Sequence, residues 1–385
     1  MVSSPLLSSL LSFLHPHHRT RALLCSRVFS DTPSPALAFE AHLAEQLQKL
    51  THSCSHENGS SLHLTSLNWM CKASDVVLST HESVRQALIP TQISAQIAPS
   101  RSLHVDKVTQ QHMEDIPQML DACCLIKEAL LETMLHVKAC FIALKRIQRL
   151  KLERQGDVEQ AVSFTRGLTQ KRSLLQKEQN NNQTSVRPLK CRKRLQTCSS
   201  ILRRMGGKLP APATYIEPVE ISNLENDTAS MPSFPLSDAL PATLYGAEMT
   251  TIFFLRLLST AFSSSGGNTC RLSSLQLSGK PIWGPSLLEL QARSNTKFSS
   301  MAQGSNTQRC VLPDLHKLDA SFHQIYESLL QCKQTGVPAD HVEHLVASTI
   351  IVAQQVERCL STLHHHIQHI FSSLVDIRIA FLDSL

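Results

Sequence analysis

The sequence predicts an all-α protein, an elongated antiparallel helical bundle with a long heptad-patterned C-terminal helix. Three observations carry that expectation. Only 12 of 385 residues are glycine and 5% are aromatic, while Leu, Ala, Gln and Ser abound, which starves β-sheet of its preferred residues and suits helices. Apolar residues recur at helical spacing through most of the chain. A hydrophobic fraction of 42% is enough for a sizeable core.

Residues 1–35 read as an N-terminal tail. Its first thirty positions hold Arg19, Arg21, Arg27 and seven serines, with no acidic residue before Asp31. That composition suits either an organellar transit segment or a disordered Ser-rich tail. A secretory signal fits worse, because no positive side chain precedes the apolar run 6–14 and no small-residue cleavage site follows it. Cytoplasm and plastid are the compartments expected.

The first helix is expected over 37–50, where Leu37, Leu43, Leu47 and Leu50 share a face beside Glu40, Glu45 and Lys49. A second carries Leu64, Leu67, Met70, Val77, Val84 and Leu88, and Pro90 is expected to stop it at Ile89. Residues 90–102, with Pro90 and Pro99, read as a connector. A longer helix is expected from Pro117, with Glu114 and Asp115 supplying negative charge at its N-terminal end. Its apolar stripe from Leu120 to Ile147 is broad enough for the middle of a bundle.

Charge then segregates. Residues 145–208 hold 17 Lys and Arg against four acids, a balance of +13, so the rest of this +6 chain sums to −7. Helical patterns cover 158–175 and 195–205, separated by the polar tract "QNNNQ" at 179–183, and Gly206-Gly207 is expected to end the second. Six prolines mark 210–241 as a linker between an N-terminal half, 36–209, and a C-terminal half, 242–385, expected to pack on the first. In that second half 244–262, 285–298, 315–332 and 340–383 are the helical candidates. The stretch 249–262 is too short for a membrane span and carries Arg256, so a buried core helix is expected and no transmembrane span.

The last helix has the clearest pattern. Val342, Val346, Thr349, Ala353, Val356, Leu360, Leu363, Ile367, Ile370, Leu374, Ile377 and Phe381 are spaced by alternating steps of four and three, a heptad seam. Leu360, Leu363, Ile367, Ile370, Leu374 and Ile377 are its central residues, facing either a protein partner or the rest of the bundle. The same phasing divides the "HHHIQH" run: His365 and His369 point outward one turn apart, and His364 and His366 flank the seam. Two imidazoles supply half of a zinc shell, so no metal site is assigned.

Other chemistry is sparse. The cysteines form no CxxC pair and read as small buried hydrophobes in a reducing compartment. Gly206-Gly-Lys208 is followed by Leu209 where a phosphate loop needs Ser or Thr, and no nucleophile elbow, HExxH pair or calcium loop appears. No catalytic residue, cofactor or metal ligand is assigned. Lys190, Arg192, Lys193, Arg194, Arg203 and Arg204 are candidates for an anionic partner or membrane surface. Nucleic acid is disfavoured, because Phe164 is the only aromatic residue of 145–208 available to stack on a base.

Seven blocks together resemble the plant BYPASS family of helical proteins and its ROH-type relatives. They are "FEAHLAEQLQKL" at 39–50, "LTSLNWMCKASDVVLSTHESVRQAL" at 64–88, "MLDACCLIKEAL" at 119–130, "CSSILRRMGGKLPAP" at 198–212, "LPATLYGAEMTTIFFLRLLSTAF" at 240–262, "PIWGPSLLELQ" at 281–291 and "IFSSLVDIRIAFLDSL" at 370–385. Departures are a missing Trp-containing stretch before the "LDACC" block, Cys124 where Asn is frequent, and the basic, Asn-rich region 149–187. The resemblance implies a role in root and shoot development, restraining a mobile root-derived signal that arrests the shoot. It carries over no catalytic residue. The expected function is a non-enzymatic regulator acting through protein partners on helical surfaces. The alternatives are an enzyme or carrier in small-molecule signal metabolism, and a peripheral membrane adaptor.

Overall fold

The computed structural model describes residues 34–53, 66–97, 107–150, 155–177, 188–205, 239–263, 272, 274–303, 312–335 and 340–383. Among these residues every regular element is an α-helix: α1 (Pro35–His52), α2 (Leu67–Ile97), α3 (Lys107–Arg149), α4 (Gln155–Lys177), α5 (Pro188–Met205), α6 (Ala239–Ser263), α7 (Gly284–Gln303), α8 (Pro313–Thr335) and α9 (Asp340–Leu382). Ser34 to Leu385 forms one compact unit. Of the tail expected over 1–35, residues 1–33 lie outside the described residues, as do the "QNNNQ" tract, both glycines after α5 and most of the expected linker, while Ser34 and Pro35 belong to the start of α1.

Local chemistry explains several helix starts. Ser34 caps α1, its Oγ accepting from the Leu37 amide at 3.3 Å, with Pro35 in the first turn where its missing N–H costs nothing. At α2 the Ser66 Oγ accepts from the Trp69 amide at 3.3 Å, and Asp314 reaches across from α8 to accept from the Leu67 amide at 2.7 Å. A carboxylate at that end also meets the positive pole of the helix dipole.

Two boundaries differ from expectation, both at prolines. α2 continues through Pro90 to Ile97, and α3 begins at Lys107, ten residues before Pro117, which sits inside it. A proline removes one i→i−4 hydrogen bond and strains the preceding turn, a cost of about 3 kcal/mol that packing can exceed. At Pro117 the flanking Ile116 and Met119 are both 0% exposed, so the helical path on either side is fixed by burial. Asp115 is consequently not an N-terminal charge; it lies in the interior of the molecule.

α6 is the central element. From Ala239 to Phe262 every residue except Pro241 is buried, and the helix packs on α1, α2, α3 and α5. It starts at Ala239, so residues 239–241 are helical rather than linker. Gly246 marks its closest approach to a neighbour: a Cβ there would stand 2.8 Å from Phe39 Cε1 and 3.1 Å from Leu43 Cδ2 of α1. Among the described residues no helix is long and apolar enough to cross a membrane. α6 fills the protein's own core instead.

α9 packs along α3 and α2, and α8 lies against α9 and α4. It runs antiparallel to α3, since Lys127 meets Gln368 and Phe371 while Ile147 sits near Val346. It runs parallel to α2, where Cys71 Sγ donates to the Cys359 carbonyl at 3.4 Å and Ser74 Oγ lies 2.7 Å from His366 Nδ1.

Candidate functional site

The sequence-derived seam residues lie in the core. Leu360, Leu363, Ile367 and Ile370 are 0% exposed, and Leu374 and Ile377 are 1% exposed, on the side of α9 that meets α2 and α3. The histidines follow the heptad phasing: His365 and His369 are exposed with ring centroids 4.8 Å apart, and His364 and His366 are half-buried at the edges. Arg203 and Arg204 are exposed in the last turn of α5. Lys190, Arg192, Lys193 and Arg194 fall on the same helix, with side chains outside the described residues. Among the free cysteines Cys71, Cys123, Cys140 and Cys198 are buried, Cys332 and Cys359 are half-buried, and Cys124 is exposed.

The most unusual chemistry is one that sequence reasoning missed. Where α2, α3 and α6 meet, the core contains two imidazoles and two carboxylates: His81 and His112 are each 2% exposed, Asp115 is 4% and Glu248 is 1%. His112 and Asp115 are three residues apart on α3, and Glu248 and Thr251 are three apart on α6, so each helix turns one short polar face toward the other. His112 Nδ1 donates to Glu248 Oε2 at 2.6 Å, a short charge-assisted contact. Glu248 Oε1 and His112 Nε2 have no protein partner.

Asp115 accepts from Gln111 Nε2 at 3.2 Å. Burial, reinforced by the neighbouring Glu248 carboxylate, pushes its pKa up to about 7. On α2 the His81 tautomer follows from its partner. The Thr251 hydroxyl donates to the Ala247 carbonyl at 2.6 Å, so its oxygen accepts from His81 Nε2 at 2.8 Å and leaves Nδ1 bare. Burial first, and the nearby His112 second, hold the His81 pKa down at about 3. His81 is therefore neutral at any ordinary pH.

A second buried charge lies about two helical turns further along α6. Arg256, 2% exposed, donates from Nε and Nη2 to the Leu202 carbonyl near the C-terminal end of α5, where a cation complements the helix dipole. The signal for both charged sites was in the sequence: Glu248 and Arg256 are the only ionisable residues besides Tyr245 in a 25-residue helix that is otherwise uncharged and mostly apolar. A charge committed to burial requires a buried partner.

An acid titrating near neutrality beside an imidazole–carboxylate pair has the ingredients of general acid–base chemistry. Access decides against that use, because all four groups are sealed from solvent. A cavity of about 300 Å³ lies elsewhere, between the C-terminal end of α3 and the start of α9, lined by Ile147, Gln148, Leu150, Glu343, His344, Val346 and Ala347. It touches none of the cluster. Among the described residues no group of three or more His, Cys, Asp or Glu side chains is arranged to hold a metal ion.

The family model described as Protein ROH1-like matches residues 11–222. That span is 212 of the 385 residues and takes in α1 to α5. No curated protein and no solved structure matches the chain. With more than half of its length matched, this chain belongs to the ROH1-like, BYPASS-related family.

Proposed function

We propose that the protein is a non-enzymatic helical regulator of plant root and shoot development, restraining a mobile root-to-shoot signal through protein partners. Family membership is the observation that carries this reading. The sealing of the His81, His112, Asp115 and Glu248 cluster agrees with it, because a catalytic group must reach its substrate. Grafting tests it: wild-type shoots on loss-of-function roots should arrest, and normal growth of those shoots would overturn it. Affinity purification of the tagged protein from root tissue should recover specific proteins.

A second reading, a carrier in small-molecule signal metabolism, is favoured by the cavity at the α3–α9 end, whose volume of about 300 Å³ reaches the lower bound of ligand sites. Saturable binding of root metabolites by the purified protein, abolished by Ala347→Trp, would favour the carrier. Reproducible turnover would favour an enzyme.

A further inference from the structure

From Ile351 to Ile379 α9 keeps one face uncovered, and the order of residues on that face is self-complementary. Ile351, Arg358, Thr362, His365, His369, Ser372, Asp376 and Ile379 are all exposed. At ~100° per residue they lie within about 60° of His365 on the helix surface. Arg358 stands seven residues before His365, and Asp376 stands seven residues after His369. Reversing the chain direction about the midpoint of the two histidines therefore exchanges arginine for aspartate.

We propose that this face pairs with a second copy of the chain, antiparallel, in the register centred between His365 and His369. In that register Arg358 meets Asp376 of the partner subunit, and Asp376 meets Arg358 of the partner subunit, so one contact is made twice as two-fold symmetry demands. His365 lies against His369 of the partner subunit at the axis. Thr362 meets Ser372 of the partner subunit, small side chains that let the helices approach. Ile351 and Ile379, 65% and 51% exposed, fall near opposite ends and supply apolar contact there.

Charge complementarity is what selects a second copy over an unrelated partner. Among the described residues neither Arg358 nor Asp376 makes an ion pair within its own chain; Arg358 only donates to the Gln354 carbonyl at 3.4 Å. The seam beneath the face fixes it rigidly, since Leu360, Leu363, Ile367 and Ile370 are 0% exposed. From Ile351 to Ile379 the stripe is ~42 Å long and about 10 Å wide. Two copies would bury roughly 800 to 1,000 Å², the size of a weak, reversible dimer. The inference does not depend on the developmental reading.

Sedimentation velocity of the full-length, tag-free protein over a concentration series tests it. The wild type should move from monomer to dimer as concentration rises. R358D and D376R should each weaken the dimer by roughly tenfold or more, because each sets like charges opposite one another at two places. The double exchange R358D/D376R should return most of the affinity, a rescue that a merely structural role would not give. Both positions of substitution are solvent-facing, and matching circular dichroism confirms an intact fold. A wild type that stays monomeric throughout, a single exchange without effect, or a double exchange no better than the singles would each overturn the proposal.

Discussion

Replacing Asp115 by Asn should change how stability depends on pH, not merely its level. Asp115 is raised from 3.8 to about 7 in the folded protein, so its stabilising contribution is complete below 3.8 and is lost as pH rises to about 7. His81 does the opposite. Its pKa falls from 6.5 to about 3, so its contribution is complete above 6.5 and is lost as pH falls. Each group gives a slope of about 1.4 kcal/mol per pH unit with opposite sign, and the two cancel where their windows overlap. In the wild type neither slope of this pair is visible within the overlap, from 3.8 to 6.5.

D115N removes one of them. The difference in unfolding free energy, D115N minus wild type, should grow by about 1.4 kcal/mol per pH unit from roughly pH 4 to 7, approaching 4 kcal/mol, and then level off. H81Q, which keeps a donor for Thr251, should show the mirror image, its difference from wild type growing as pH falls from 6.5. Urea titrations followed by far-UV circular dichroism at half-unit pH steps measure both differences, with the remaining ionisable groups common to all three proteins. A difference independent of pH for either variant would refute the reasoning, since it would mean that the group titrates alike in folded and unfolded chains.

Two further substitutions test the packing. Leu363→Ala empties a site that is 0% exposed and should cost about 2 to 5 kcal/mol, whereas His365→Ala two residues on should cost less than about 0.5 kcal/mol; thermal denaturation reads the contrast, and equal losses would contradict the phasing of α9. Gly246→Ala places a Cβ 2.8 Å from Phe39 and should destabilise by about 1 to 2 kcal/mol despite the better helix propensity of alanine. Pairing it with Phe39→Leu should return part of that loss, and additive effects would show that the two do not meet.

The reach of sequence reasoning followed the range of the interactions involved. The α9 seam and the division of "HHHIQH" were legible because both are set by periodicity within one helix, and the structure buries Leu363 and Ile367 while exposing His365 and His369. The central burial of 249–262 was legible from composition alone. The continuation of α2 through Pro90 and of α3 through Pro117 was not, because a local breaker was weighed without the tertiary packing that outweighs it. The His81, His112, Asp115 and Glu248 cluster was missed for a related reason. Its members are up to 167 positions apart, 248 minus 81, and no local spacing joins them. Reading Glu248 as an acid that must find a cation inside an apolar helix would have called for a partner such as His112 without naming it.

The central claim is that this protein regulates without catalysing. The most direct measurement is complementation of loss-of-function plants with D115N, a variant that removes the buried acid raised to about 7 and is expected to fold at least as stably as the wild type at neutral pH. The account predicts full restoration of shoot growth. Failure to restore it at normal protein accumulation would contradict the account and make Asp115 part of a working site.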